Sequence, residues 1–269
     1  MPTTPSTLLL SLCGTAVLAL ASCEKKEDVA LKQDLSAETI SQVKALGFST
    51  RDAKAVAGGV LVEGDIVLTK EVLAGNNEST LLRVGTDEQY RTINLVTGLP
   101  RTITVSVSAT LPSAYVTAAD VAIRRFNDQN LRLTFRRVAP SAGAAISLVK
   151  GLSGVDYLAL AGTPYKGKPY HQVELNSDLV GTKNASTTIA SLLAHEIGHC
   201  IGFRHTDYAN RAYSCDGEPF NEGAGPEGAI RISGTPAGND PNSWMLSCIN
   251  SGQNRPFNSN DIKALNYLY

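Results

Sequence analysis

"HEIGHCIGFRH", residues 195–205, holds three of the four histidines in a chain of 269 residues. On a helix, His195 and His199 differ by about 40° around the axis and lie one turn apart, so both imidazoles leave the same side. The residues before them extend the pattern. "ASTTIASLLAHEIGHCIG" has helical periodicity from Ala185, with Ile189, Leu192, Leu193, Ile197 and Cys200 as its apolar stripe and Gly202 as the residue that ends it. The turn at Gly202 sends the chain back and brings His205 round as a third nitrogen ligand. In H-E-x-x-H-x-x-G-x-x-H spacing the three imidazoles make a zinc site whose fourth tetrahedral position stays open. Two histidines four apart would only be suggestive; the extended pattern satisfies the helix, the turn and the third ligand together.

Glu196 adjoins the first ligand and is not needed for coordination. It reads as a general base, which takes the proton of a zinc-acidified water as that water attacks a carbonyl carbon and passes it to the leaving amine. The products are a carboxylate and an amine, as in peptide-bond hydrolysis. His171, in "PYHQVEL", has no partners of this kind and reads as an ordinary strand or loop residue.

Composition sets the bounds. A net charge of −1 with 18% charged residues leaves no electrostatic footprint for nucleic acid. At 43% hydrophobic the chain builds a proper core. The first 22 residues carry no charge, and their apolar run from Leu8 to Ala21 is too short for an ordinary membrane-spanning helix, so 1–22 reads as a signal peptide. It ends in "LASC", similar to a bacterial lipobox, which makes Cys23 the expected lipidated N-terminus. The leader lacks the usual Lys or Arg, and ordinary cleavage near Ser22 is the alternative. The expected location is therefore exported, on the outer membrane or cell surface. Beyond Cys23 only Cys200, Cys215 and Cys248 remain, which suggests one disulfide and one leftover thiol in an exported protein, with three pairings open.

Along the chain, "DLSAETISQVKALG" reads as a short amphipathic helix capped by Ser36 and stopped by Gly47, and "GVLVEGDIVLT" (59–69) is strand-like. The polar, turn-rich "GNNEST" (75–80) marks a boundary before about Glu88. The expected organisation is a signal peptide over 1–22, a lipid-anchored linker and prosegment over 23–87, and a catalytic domain over 88–269. In the larger unit, "TITVSVS" and "LRLTF" alternate as half-buried strands, "AISLV" and "YLALAG" are further strands, and "TAADVAIRRFNDQ" is a helix. Strands interleaved with helices indicate an α/β (α+β) fold.

The extended histidine pattern resembles that of the metzincin zinc peptidases. Their methionine turn beneath the metal matches Met245 in "NSWMLSC", one of only two methionines in the chain, and "FNSNDIKALNYLY" is similar to their closing helix. With its "HEIGH" core, the "GFRHTDY" extension and the lipoprotein-like leader, the chain most resembles the dual-action HEIGH metallopeptidases over about 88–269. The resemblance implies a two-lobed domain: a twisted mixed sheet with the active-site helix, then a loop-rich lower lobe from about Gly202 and a C-terminal helix. It also implies one zinc ion and a protein or peptide substrate lying extended along an edge strand, for which "YLALAG" is the candidate. A monomer is expected. Calcium has no supporting pattern, and acidic positions such as Asp216 and Glu222 read as solvated. Two departures limit the transfer of astacin-like detail: Ser247 stands where those enzymes have a tyrosine after the turn, and Thr206 and Asp207 follow the third histidine where they have glutamate. Within the lower lobe, Cys215 and Cys248 are the expected disulfide, leaving Cys200 on the helix stripe.

"EGDI" is similar to the segment by which astacin propeptides set an aspartate on the catalytic zinc. It makes Asp65 the expected latch, released by cutting between about Ala74 and Arg91. An ordinary Gly-Asp turn between strands is the competing reading. Two other functions stay open at this level: a non-catalytic surface binding lipoprotein stabilised by zinc, and a zinc amidase acting on cell-wall peptides.

Overall fold

In the computed structural model, residues 35–74, 89–222 and 229–269 are described. Cys23, the leader and residues 75–88 of the expected processing segment lie outside them. The elements in chain order are α1 (Ala37–Ala45), β1 (Lys54–Val56), β2 (Gly59–Val62), β3 (Ile66–Thr69), α2 (Lys70–Leu73), β4 (Tyr90–Arg91), β5 (Arg101–Val107), α3 (Ser113–Asn127), β6 (Leu133–Val138), β7 (Ile146–Lys150), β8 (Ala159–Gly162), β9 (Gln172–Leu175), α4 (Ser177–Val180), α5 (Ala190–Ile201), β10 (Phe203–Arg204), β11 (Ile230–Arg231) and α6 (Ser259–Leu268). This is a mixed α/β fold.

The main sheet has eight strands in the order β1-β2-β3-β8-β9-β7-β5-β6. Strands β6, β5, β7 and β9 are mutually parallel neighbours, β8 runs antiparallel to β9, and β1–β2–β3 form an antiparallel meander. Helix α3 supplies the crossover between parallel β5 and β6, as a parallel pair requires. Its buried face, Tyr115, Ala118, Ala119, Ala122, Ile123 and Phe126, repeats at helical spacing. Together with α5 and α6 it closes the main core over Ile103, Val105, Leu133, Ile146, Leu148 and Val173 of the sheet.

The N-terminal hairpin region has a small core of its own, Val43, Leu46, Phe48, Val60, Val62, Ile66, Leu68 and Val72. Ser36 caps α1 by accepting from Thr39 N at 3.1 Å. This region joins the main sheet through a parallel pairing of β3 with β8, in which Ile66 faces Ala161 and Val67 faces Gly162. The "YLALAG" strand is therefore not an edge here: residues 66–69 occupy the side on which an extended peptide was expected.

A second correction concerns α5. The helix expected from Ala185 with one apolar stripe is an α-helix from Ala190 that is buried all round, preceded by a π-helical turn over Ala185–Ile189. It lies between α3, the sheet and the segment around Met245, so its polar face is enclosed as well as its apolar one. Between Gly202 and α6 the described chain is mostly irregular; its strands β10 and β11 flank β4 in a three-stranded sheet of order β10-β4-β11.

Candidate active site

Helix α5 carries His195, Glu196 and His199, and the first two line a cavity. Gly202, at φ 111°, ends the helix in the left-handed region that glycine tolerates, and β10 then returns the chain to His205. Gly198 is fixed by packing: a Cβ there would meet the Trp244 ring at 2.6 Å and Met245 Sδ at 2.7 Å. The glycine of "HEIGH" thus lets the Met245 turn lie directly against the helix that bears both histidines.

All three imidazoles are oriented through Nδ1. His195 Nδ1 donates to Trp244 O at 3.0 Å, His199 Nδ1 to Phe203 O at 2.9 Å, and His205 Nδ1 to Glu222 Oε2 at 2.9 Å. The Trp244 and Phe203 carbonyl oxygens can only accept, so His195 and His199 carry a proton on Nδ1, which leaves Nε2 facing the centre as a metal ligand needs. The Nε2 atoms converge: those of His195 and His199 are 3.0 Å apart, and His205 Nε2 lies 3.0 Å from Asp65 Oδ2. Asp65 Oδ2 is also 3.6 Å from His195 Nε2, and its Oδ1 is 3.9 Å from His199 Nε2. One ligand atom from each of these four buried side chains lies within 4.8 Å of all the others. Three imidazole nitrogens and a carboxylate around one point suit a single zinc ion.

The electrostatics agree. Burial opposes charge on Asp65, but His205, His195 and His199 hold its carboxyl well below the usual carboxylate range. Burial, and then His195, pull His199 well below the ordinary imidazole value. Burial would lower His205 too, but Asp65 and Glu222 push it up to about 10, and the same two carboxylates favour a divalent cation at its Nε2. Burial, reinforced by the Asp65 charge, pushes Glu196 well above its ordinary value, and Glu196 Oε2 has no hydrogen-bond partner.

Asp65 reaches this centre on the β2–β3 turn, Glu63-Gly64-Asp65. Its carbonyl oxygen accepts from Ala161 N at 2.8 Å, which ties it to β8. Glu63 forms a fully buried ion pair with Arg204, and the Arg204 guanidinium lies 4.3 Å over the Phe48 ring. Arg211 Nη1 donates to Glu63 O and, at 2.7 Å, to Glu222 Oε1. Gly64, at φ 90°, leaves room for this guanidinium, because a Cβ would meet Arg211 Nη2 at 2.9 Å.

Glu222 corrects its expected solvation: it is fully buried and holds the third histidine, whereas Asp216 is exposed. Its neighbours in "EPFNEG" give no periodic signal that could have revealed this. The two departures from the astacin-like pattern meet in space. Asp207 Oδ1 accepts from Ser247 N at 3.0 Å and Ser247 Oγ at 2.8 Å, and Thr206 N donates to Met245 O at 3.0 Å. Ser247 thus braces the turn. Cys215 and Cys248 form a disulfide with a Cα–Cα distance of 5.2 Å, and Cys200 is a buried free thiol. His171 is exposed beside β9.

The sequence profile of the dual-action HEIGH metallo-peptidases matches residues 60–269, so it begins inside β2 and takes in Asp65 as well as the histidines. No curated protein matches the chain. Among solved structures, the chain is similar to high choriolytic enzyme 1, a hatching enzyme zinc-protease from Oryzias latipes (Medaka fish), at 20% identity and a TM-score of 0.38, covering 62% of this chain and 88% of that one. It is also similar to myroilysin, at 15% identity and a TM-score of 0.40, covering 65% and 96%. Likenesses this distant carry no argument of their own. With the family profile spanning most of the chain and a buried three-histidine centre at its heart, the chain belongs to the dual-action HEIGH metallo-peptidase family and is a zinc metallopeptidase.

Proposed function

We propose that the protein is the latent precursor of a zinc endopeptidase, exported and lipid-anchored at Cys23, in which His195, His199 and His205 hold the ion, Glu196 is the general base and Asp65 is the latch. The observation that carries this reading is the Asp65 carboxylate lying 3.0 Å from His205 Nε2, where an attacking water would need room. Zinc, when bound, supplies the Lewis acidity that polarises a peptide carbonyl and acidifies water.

The chain's own residues do the rest. Trp244 O, Phe203 O and Glu222 hold the three imidazoles in register. Glu196, buried and with one free carboxylate oxygen, takes a proton from water and delivers it to the leaving amine. Removal of residues 35–74 would uncover β8, whose freed edge suits an extended peptide, and would withdraw Asp65 from the centre. Cutting between about Ala74 and Arg91 would separate the enzyme from both latch and anchor.

The test is the full-length Asp65→Ala protein, loaded with zinc and assayed on casein while still uncut by mass. Activity above the parent supports the latch. Equal latency of the two uncut proteins removes it.

A further inference from the structure

A cavity of about 440 Å³ opens beside Glu196 and His195. One wall is the β2–β3 turn. Leu192 of α5, the segment Leu246–Ile249 after the Met245 turn, and Arg255 also line the cavity. Arg255 is 8% exposed, and no carboxylate lies within ion-pairing distance of it among the described residues. A guanidinium has five N–H donors. Here Nη1 donates to Cys248 O and Nη2 to Gln253 Oε1 at 3.2 Å, both neutral acceptors, while Nε is buried without a partner. Asp207 acts on Arg255 only from a distance, its oxygens being engaged by Ser247 and Ser214.

The placement of Arg255 relative to the catalytic groups follows from its backbone. Arg255 N donates to Ser191 Oγ at 2.9 Å, and Ser191 is one helical turn, about 5.4 Å, before His195. Arg125 reinforces the same corner: it donates to Ser191 Oγ at 3.0 Å and to Arg255 O at 3.2 Å, and it too has no ion-paired carboxylate among the described residues. Arg255, which lines the cavity, and Arg125, which holds the Arg255 backbone, therefore both lack a paired carboxylate among the described residues. Burial already pulls the Arg255 pKa down from its ordinary value. A buried cation without a carboxylate is costly to a fold, and one that lines a catalytic cavity is suited to receive an anion.

We propose that Arg255 is the floor of a side-chain pocket that takes the carboxylate of an aspartate or glutamate directly flanking the scissile bond. The substrate class is then peptides acidic at that one position. A carboxylate entering the cavity meets the unused N–H groups of the guanidinium as charge-assisted hydrogen bonds. This rests on the peptidase reading above, with Arg255 as a specificity determinant that touches substrate.

The experiment profiles cleavage of a mixed peptide library by zinc-loaded full-length protein, before and after limited proteolysis. Asp or Glu should be enriched about tenfold at one position beside the cleaved bond. Arg255→Gln should lose that enrichment, and Arg255→Glu should replace it with Lys or Arg. An Arg255 that only braces the loop would change stability without changing this ratio, so zinc content and the Cys215–Cys248 bridge are measured on each variant. A second arm titrates proteolysed Glu196→Gln protein, with and without Arg255→Gln, with a fluorescent glutamate peptide and its alanine counterpart. Arg255-dependent discrimination in binding, with no cleavage by the parent, keeps the pocket and removes the peptidase reading. Cleavage without an acidic preference, an enrichment that survives Arg255→Gln, or no discrimination in binding overturns the pocket.

Discussion

Glu222 Oε2 accepts from His205 Nδ1 at 2.9 Å, with both side chains fully buried. Of the three imidazole orienters it alone is a carboxylate; the others are backbone carbonyls, which no substitution can remove. Its second oxygen accepts from Arg211, which also grips the backbone of Glu63. The third histidine and the hairpin that carries Asp65 are thus held by one pair of side chains.

Glu222→Gln should weaken zinc retention by about 10- to 100-fold, the usual effect of losing a partner behind a ligand. Competition with a chromophoric chelator measures it. Unchanged affinity would show that His205 needs no carboxylate behind it.

For Glu196→Gln the expectation is the reverse: zinc stays bound at parental stoichiometry while peptide hydrolysis after proteolytic activation falls by about 10²- to 10⁴-fold. Turnover near the parent's, on metal-replete protein, would remove Glu196 as the base.

Glu63→Gln leaves the Arg204 guanidinium without the carboxylate it pairs with in the interior. Breaking a buried pair from one side typically costs about 3–5 kcal/mol. The hairpin should loosen, so limited proteolysis between 35 and 91 should quicken and thermal unfolding should start earlier. An unchanged proteolysis rate would mean the ion pair does not hold the hairpin down.

Asp261, which is not itself a metal ligand, gives a pH signature. It accepts from Trp244 N, Ser243 Oγ, Asn258 N and Gln89 Nε2, yet burial outweighs these bonds and pushes its carboxyl up to about 7. Between the unfolded value of about 3.9 and about 7 the native protein keeps a proton that the unfolded chain has shed. This contribution to stability is complete below the unfolded value and is lost as pH rises through the folded one. The thermal stability of the parent relative to Asp261→Asn should therefore fall from about pH 4 to about pH 7 and then level off. A constant difference over that range would place the Asp261 titration elsewhere.

Periodicity and spacing were enough for much of the molecule. The helix around His195, its glycine stop at 202 and the return to His205 follow from local rules, because a helix fixes where residues four apart point. The closing helix expected in "FNSNDIKALNYLY" is α6, which opens on a reciprocal capping box of Asn258 and Asp261. Other features depended on distant chain segments meeting. Glu222 looks like any loop acid until Arg211 and His205 close over it, 11 and 17 residues away. "YLALAG" reads as a strand, but only assembly decides that residues 66–69 sit on its outer side. Arg255 gives no sign in sequence of being buried, since its burial comes from packing against α5 and the Cys248 loop. The sequence by itself determined which groups could do the chemistry, because ligand type and helical spacing are local. Tertiary structure alone decided which charges are paired, which are left open and what occupies the cleft, because those are properties of contacts between segments far apart in the chain.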